Sequence, residues 1–141
     1  MKKQTLVFDL DYDYTIIGIS CHYKDYRLCH FLNKTLRLNL VKKNDHEVTL
    51  KNNSEPKYFS FYKYSNNHQE LNFYLVANRG EQGFLIPEHK QADYLFIVEN
   101  IEEDIDHTLN FHSEIKNING ILTAFSIDYE TIKNKSNLIF E

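Results

Sequence analysis

Tryptophan is missing from this 141-residue sequence, and proline, cysteine and glycine are scarce at two, two and four residues. Two cysteines without framework spacing argue against a disulfide scaffold and fit a reducing cytoplasm. No apolar run approaches the roughly 18 residues that cross a bilayer, so no membrane association is expected. The apolar stretch after Met1-Lys2-Lys3 is cut by Asp9 and Asp11, unlike a secretory leader. A Gly-rich phosphate loop, nucleophile elbow, metalloprotease helix and nicotinamide fingerprint are all lacking. Their absence leans against an enzyme and leaves no cofactor to expect. No repeat, linker or low-complexity tract interrupts the chain, so one domain over residues 1–141 is expected.

What is present is bulk and charge. Hydrophobic residues make up 42% of the chain, and ten Phe and ten Tyr supply volume for a core that needs neither disulfide nor metal. The net charge of −4 is unevenly spread: residues 20–63 hold nine Lys/Arg against four Asp/Glu, and residues 64–141 hold five against thirteen. Such asymmetry steers partners only if folding keeps the two regions apart.

Residues 6–11 alternate apolar and polar as a half-buried strand does. In residues 14–36, Ile16, Ile17, Leu28, Phe31, Leu32 and Leu36 recur at helical spacing, interrupted at Gly18 and residues 22–25. The spacing predicts two helices joined by a short turn, with Asp25 capping the second. Residues 47–78 read as an antiparallel meander with turns at Asn52-Asn53 and Ser65-Asn66-Asn67. The continuous apolar run 94–98 predicts a central strand buried on both faces. Asn100 and Glu103 open a long helix that Asn119-Gly120 ends. A strand over 121–127, a turn capped by Asp128 and an apolar close, Leu138-Ile139-Phe140, complete the chain. The expected class is α+β: a mainly antiparallel sheet covered on one face by an N-terminal helix pair and a later long helix.

Several groups have the residue types of a site. Cys21-His22 and Cys29-His30 suit zinc chemically, but eight helical residues separate the pairs by about 12 Å, too far to share an ion, so no metal site is expected. Asp9, Asp11 and Asp13 alternate along one strand, yet lack the ligand count of an ion loop and read as a solvated face. His112 falls within an apolar helix face, where a backbone carbonyl is its expected partner. Arg27, His30, Lys34 and Arg37 cluster opposite the leucine stripe, followed by Lys42 and Lys43. That face is a phosphate or RNA contact surface in outline, with residues 58–64 offering aromatic stacking.

The segment Leu85-Ile86-Pro87-Glu88-His89-Lys90-Gln91-Ala92-Asp93-Tyr94 resembles the signature of the bacterial IPExxxVDY family, with Ala92 where the family has Val. The stretch Gly18-Ile19-Ser20-Cys21-His22-Tyr23-Lys24-Asp25-Tyr26-Arg27-Leu28 is similar to that family's N-terminal region. The resemblance implies a cytoplasmic bacterial setting and supplies no catalytic residues. Physically, Pro87 fixes its own φ and holds Ile86 extended, while Glu88 can accept first-turn N–H groups. The signature residues Ile86, Pro87, Glu88, Ala92, Asp93 and Tyr94 thus shape the entry to the central strand. Alternatively, Glu88, Asp93 and Tyr94 line a cleft with His22, Lys24 and Asp25.

The function expected from sequence is a non-catalytic binding or adaptor domain acting through protein contacts, with itself or another chain. The second expectation is an RNA-binding accessory protein using the basic helix face. The third is a small-molecule enzyme, which requires a pocket gathering Glu88, Asp93, Tyr94 and His22.

Overall fold

A computed structural model describes residues 13–49, 55–66, 71–81, 83–100 and 111–140. The expected strand over residues 6–11, the Asn52-Asn53 turn and Glu103 of the expected helix start lie outside them, while Asn100, its partner in that start, is the last residue of the strand Tyr94–Asn100. Among the described residues the chain forms an α+β fold around a six-stranded sheet whose pairings are all antiparallel.

The first described element corrects the helix pair. β1 (Asp13–Cys21) is a strand, and only α1 (Asp25–Leu36) is helical. The β-branched residues Thr15, Ile16, Ile17 and Ile19 explain the difference. Ile16 and Ile17, adjacent in sequence, are 2% and 1% exposed on opposite faces, which a strand sandwiched between layers permits. Gly18 stands between Ile17 and Ile19, where the Phe125 ring occupies the space a Cβ would take. Asp25 is also not the cap: Lys24 holds that position without a side-chain bond, and Asp25 opens the first turn.

Then follow β2 (Val41–Lys42), β3 (His46–Val48), β4 (Lys57–Phe59), β5 (Phe61–Asn66) and β6 (Leu71–Ala77). The expected meander is divided, because β3 and β4 pair as a separate two-stranded sheet and β5 and β6 join the main one. β7 (Arg79–Gly80) and β8 (Gly83–Phe84) form a second small hairpin, and residues 87–89 a 3-10 turn. β9 (Tyr94–Asn100) lies between β1 and β6, with Leu95, Phe96, Ile97 and Val98 each at most 1% exposed. It is central, as the apolar run required. α2 (Phe111–Lys116) precedes a turn through Gly120, whose φ of 97° suits glycine. β10 (Ile121–Ile127) closes the sheet in the order β10-β1-β9-β6-β5-β2. Asp128 caps the next 3-10 turn by accepting from Glu130 N, as expected.

Alternation sorts the core into two layers. Ile17, Ile19, Phe73, Phe96 and Val98 pack with Leu28, Leu32, Ile115 and Ile118 on the helix side. Ile16, Val76, Leu95, Ile97 and Ile127 pack with Phe59, Leu85, Ile86, Ile132 and Leu138 on the other, under the hairpins and 3-10 turns.

Candidate functional site

At the β9 entrance the chain is organised around one buried side chain. Asn78, 0% exposed, donates from Nδ2 to His89 O and Ala92 O at 2.9 and 3.0 Å and accepts from Ile86 N at 2.7 Å. Its own carbonyl accepts from Leu85 N and its N–H donates to Asp93 O. The whole 85–93 loop is therefore folded onto an amide of the right shape. Ile86 and Ala92 are 1% and 0% exposed, and Ile86 is extended (φ −120°, ψ 91°) ahead of Pro87, which starts the 3-10 turn. Asn137 fastens the loop from the other side through Nδ2 to Leu85 O.

Pro87 and Glu88 are exposed. Glu88 Oε2 accepts from Lys133 N at 2.9 Å, across 45 residues. Burial alone would raise its carboxyl; the N–H groups of Lys133 and Glu88 itself, with the charges of His89 and Lys133, outweigh that and hold it below the ordinary 4.5. A depressed carboxylate stabilises the fold above its unfolded value, and that stability is lost as pH falls through the lower folded value. Glu88→Gln should therefore remove part of the acid sensitivity below about pH 4.5, read as a smaller wild-type-to-variant stability difference at pH 3 than at pH 7 in urea titrations. Equal differences at both pH values would exclude the contact from acid unfolding.

Asp93 and Tyr94 face another way. They line a cleft of about 780 Å³ with Cys21, Lys24 and Asp25 from the β1–α1 junction, Asp45, Tyr58 and Phe59 from the β3–β4 region, and Arg79 and Glu81 from the β7–β8 hairpin. The short hairpins supply a wall that only their packing on the sheet creates. Within the cleft, Asp93 Oδ2 accepts from Cys21 N at 3.1 Å and Oδ1 pairs with Arg79 Nη2 at 3.1 Å. The Arg79 guanidinium also lies 5.5 Å from the Phe84 ring. Tyr94 donates its hydroxyl to Tyr23 O, and Tyr62 donates to Asp25 Oδ2. Burial raises both phenols; Asp25 raises both further. Lys42 lies 3.1 Å from Asp45 and 3.9 Å from Asp25. Burial also raises the Cys21 thiol and pushes Cys29 up to about 11, so neither is an activated nucleophile.

Four of the expected cleft residues thus come together: Asp93, Tyr94, Lys24 and Asp25. Glu88 is engaged with Lys133, and the exposed His22 is not among the lining residues. The four residues required by the enzyme expectation are not gathered. Asn78, Arg79 and Glu81 escape sequence reasoning, the one available signal being that the 78–83 loop precedes the signature, and Tyr58, expected as a stacking residue, lines this cleft instead.

The basic residues Arg27, His30, Lys34, Arg37, Lys42 and Lys43 are all exposed. Arg27 lies over the Tyr23 and Phe31 rings, His30 meets Phe31 edge-on, and Lys34 is exposed on the same helix. Arg37 closes α1 in the left-handed region at φ 58°. Lys42 is engaged by Asp45, while Lys43 is exposed and lines a second cleft of about 530 Å³ beside Asp45 and Glu47. Of the expected stacking residues, Tyr58 is exposed, Tyr62 is buried and Tyr64 lies against Phe73. Cys21 and Cys29 are buried free thiols in the helix-side core, and no group of three His, Cys, Asp or Glu among the described residues is placed to hold a metal. His112 Nε2 bonds Ala124 O at 2.7 Å, the carbonyl partner expected of it.

On the opposite sheet face, Glu99 accepts from Tyr14, Tyr74 and Asn72 at 2.9–3.0 Å. Burial, and then the Glu99 charge, raises the Tyr14 phenol. This network joins three adjacent strands. Among the described residues no helix is long and apolar enough to cross a membrane. No protein-family model, curated protein or solved structure matches this chain.

Proposed function

We propose that the chain is a non-catalytic binding domain that receives an exposed segment of a partner protein in the cleft beside Asp93 and Tyr94. One observation carries this reading: the deep polar groups of the cleft are already committed, while its rim is open. Asp93, Tyr94 and Asp25 are each held by a hydrogen bond to the cleft wall. The side chains of Lys24, Tyr58 and Glu81 are exposed and make no hydrogen bond or ion pair among the described residues. A tyrosine 54% exposed beside unpaired charges of both signs is the composition of a recognition surface. The likeness to the IPExxxVDY signature belongs to the same proposal, with its cytoplasmic bacterial setting. The RNA alternative has less behind it, because Lys42 is neutralised and two of the three tyrosines are sunk in packing.

A photo-crosslinking residue in place of Tyr58, expressed in the native cell, should trap a discrete protein adduct. The same residue in place of Tyr26, exposed on α1 and outside the cleft lining, serves as the control. Equal adducts at both positions, or adducts with RNA alone, would overturn the proposal.

A further inference from the structure

The outer edge of the main sheet carries a second feature that the cleft does not use. β10 is an edge strand, paired only with β1 among the described residues. Its sequence, Ile121-Leu122-Thr123-Ala124-Phe125-Ser126-Ile127, contains no charge and no proline, the usual devices that keep an edge from pairing.

The direction of its backbone groups follows from its neighbour. Ile19 O accepts from Asp93 N and Cys21 N donates to Asp93 Oδ2, so the odd residues of β1 point their backbone groups toward β9. The even residues point toward β10. Gly18 opposes Phe125 and Ile16 opposes Ile127, so Phe125 and Ile127 face inward and Ala124 and Ser126 face outward. That assignment is corroborated by His112, whose Nε2 reaches Ala124 O from α2. At the far end, Ser20 opposes Thr123 while Cys21 opposes Ile121, which leaves Leu122 as a bulge.

An outward Ala124 and Ser126 flanking Phe125 are self-complementary. Two copies related by a twofold axis at Phe125 would place Ala124 of one against Ser126 of the other, each pair exchanging two N–H···O bonds. The neutral strand brings no like charges together in that arrangement. Ala124 O is the acceptor that the Ser126 N–H of a second copy would need, and His112 already bonds it, which sets the imidazole ring against that approach.

We propose that the β10 edge is a latent docking surface for a second copy of this chain and that His112 holds it closed. The bulge at Leu122 confines pairing to the 123–127 half, which makes Ala124 O the decisive acceptor.

Sedimentation equilibrium of the full chain, with circular dichroism to verify folding, tests this. His112→Ala should lower the dissociation constant for self-association by about tenfold to a hundredfold, two acceptors being released per dimer. His112→Gln, whose amide can still donate to Ala124 O, should behave as wild type. His112→Ala combined with Ser126→Lys should return to the wild-type constant, because the added charge sits on the pairing edge. A folded His112→Ala chain with an unchanged constant overturns the proposal. So does association that Ser126→Lys leaves intact, since it would then arise elsewhere or from unfolded chains.

Discussion

Asn78→Ala should cost about 3–5 kcal/mol of folding stability, a large share of the roughly 5–15 kcal/mol available to a domain. The substitution removes one acceptor and two donors at a fully buried position, orphaning Ile86 N–H and the carbonyls of His89 and Ala92. Each buried unpaired group costs about 1–3 kcal/mol, less than additively because the loop can relax. Asn78→Asp separates shape from chemistry. It keeps the bond from Ile86 N but sets a carboxylate against two carbonyls, so its pKa in the folded state rises above the unfolded value. A raised folded pKa means the folded chain takes up the proton first, so this variant's deficit against wild type should shrink as pH is lowered toward 4. Urea unfolding of both variants at pH 7 and near pH 4 provides the measurement. A cost below about 1 kcal/mol for Asn78→Ala, ordinary for a surface change, would mean that Asn78 does not organise the signature loop.

Phe96→Ala should be comparably severe, about 3–5 kcal/mol. Phe96 is 0% exposed in the central strand, stacks on Phe73 at 6.2 Å and meets Phe111 edge-on at 5.8 Å. The cavity would open beneath α2, a six-residue helix held by its packing rather than its length. Amide exchange in α2 should accelerate more than exchange in the β5–β6 hairpin, which keeps its own ladder. Uniform acceleration would show that α2 has no separate opening. Tyr58→Ala, at an exposed position, should stay within about 0.5 kcal/mol of wild type.

Sequence reasoning succeeded where one residue type or one period dominates a segment. The run 94–98 suggested a doubly buried strand and is one, Ile121–Ile127 reads as a strand by its β-branched and apolar content, and Asp128 caps its turn by a bond two residues away. It failed at β1, because Ile16 and Ile17 satisfy both a helical stripe and a strand buried on both faces. Periodicity does not separate those cases. The β-branched content of the segment would have favoured the strand.

The cleft was half legible. Asp93 and Tyr94 could be paired with Lys24 and Asp25 as candidates, because the signature and the N-terminal stretch stood out together. The companions His22 and Glu88 lie elsewhere: His22 is exposed one step beyond Cys21, and Glu88 sits in the 3-10 turn, where Lys133 N engages it. Tyr58, Arg79 and Glu81 come from separate hairpins whose approach is set by core packing.

The amino-acid sequence alone determined the α+β class, the central strand, and the local geometry that Pro87 and Gly120 impose, because each depends on neighbours a few residues away. Tertiary structure decided which strands flank that centre, that one asparagine anchors the signature loop, and that His112 meets the free edge of β10. Those features depend on contacts between residues 8 to 14 positions apart at Asn78, 12 at His112 and 72 between Cys21 and Asp93, where chain connectivity sets no distance and packing selects the partner.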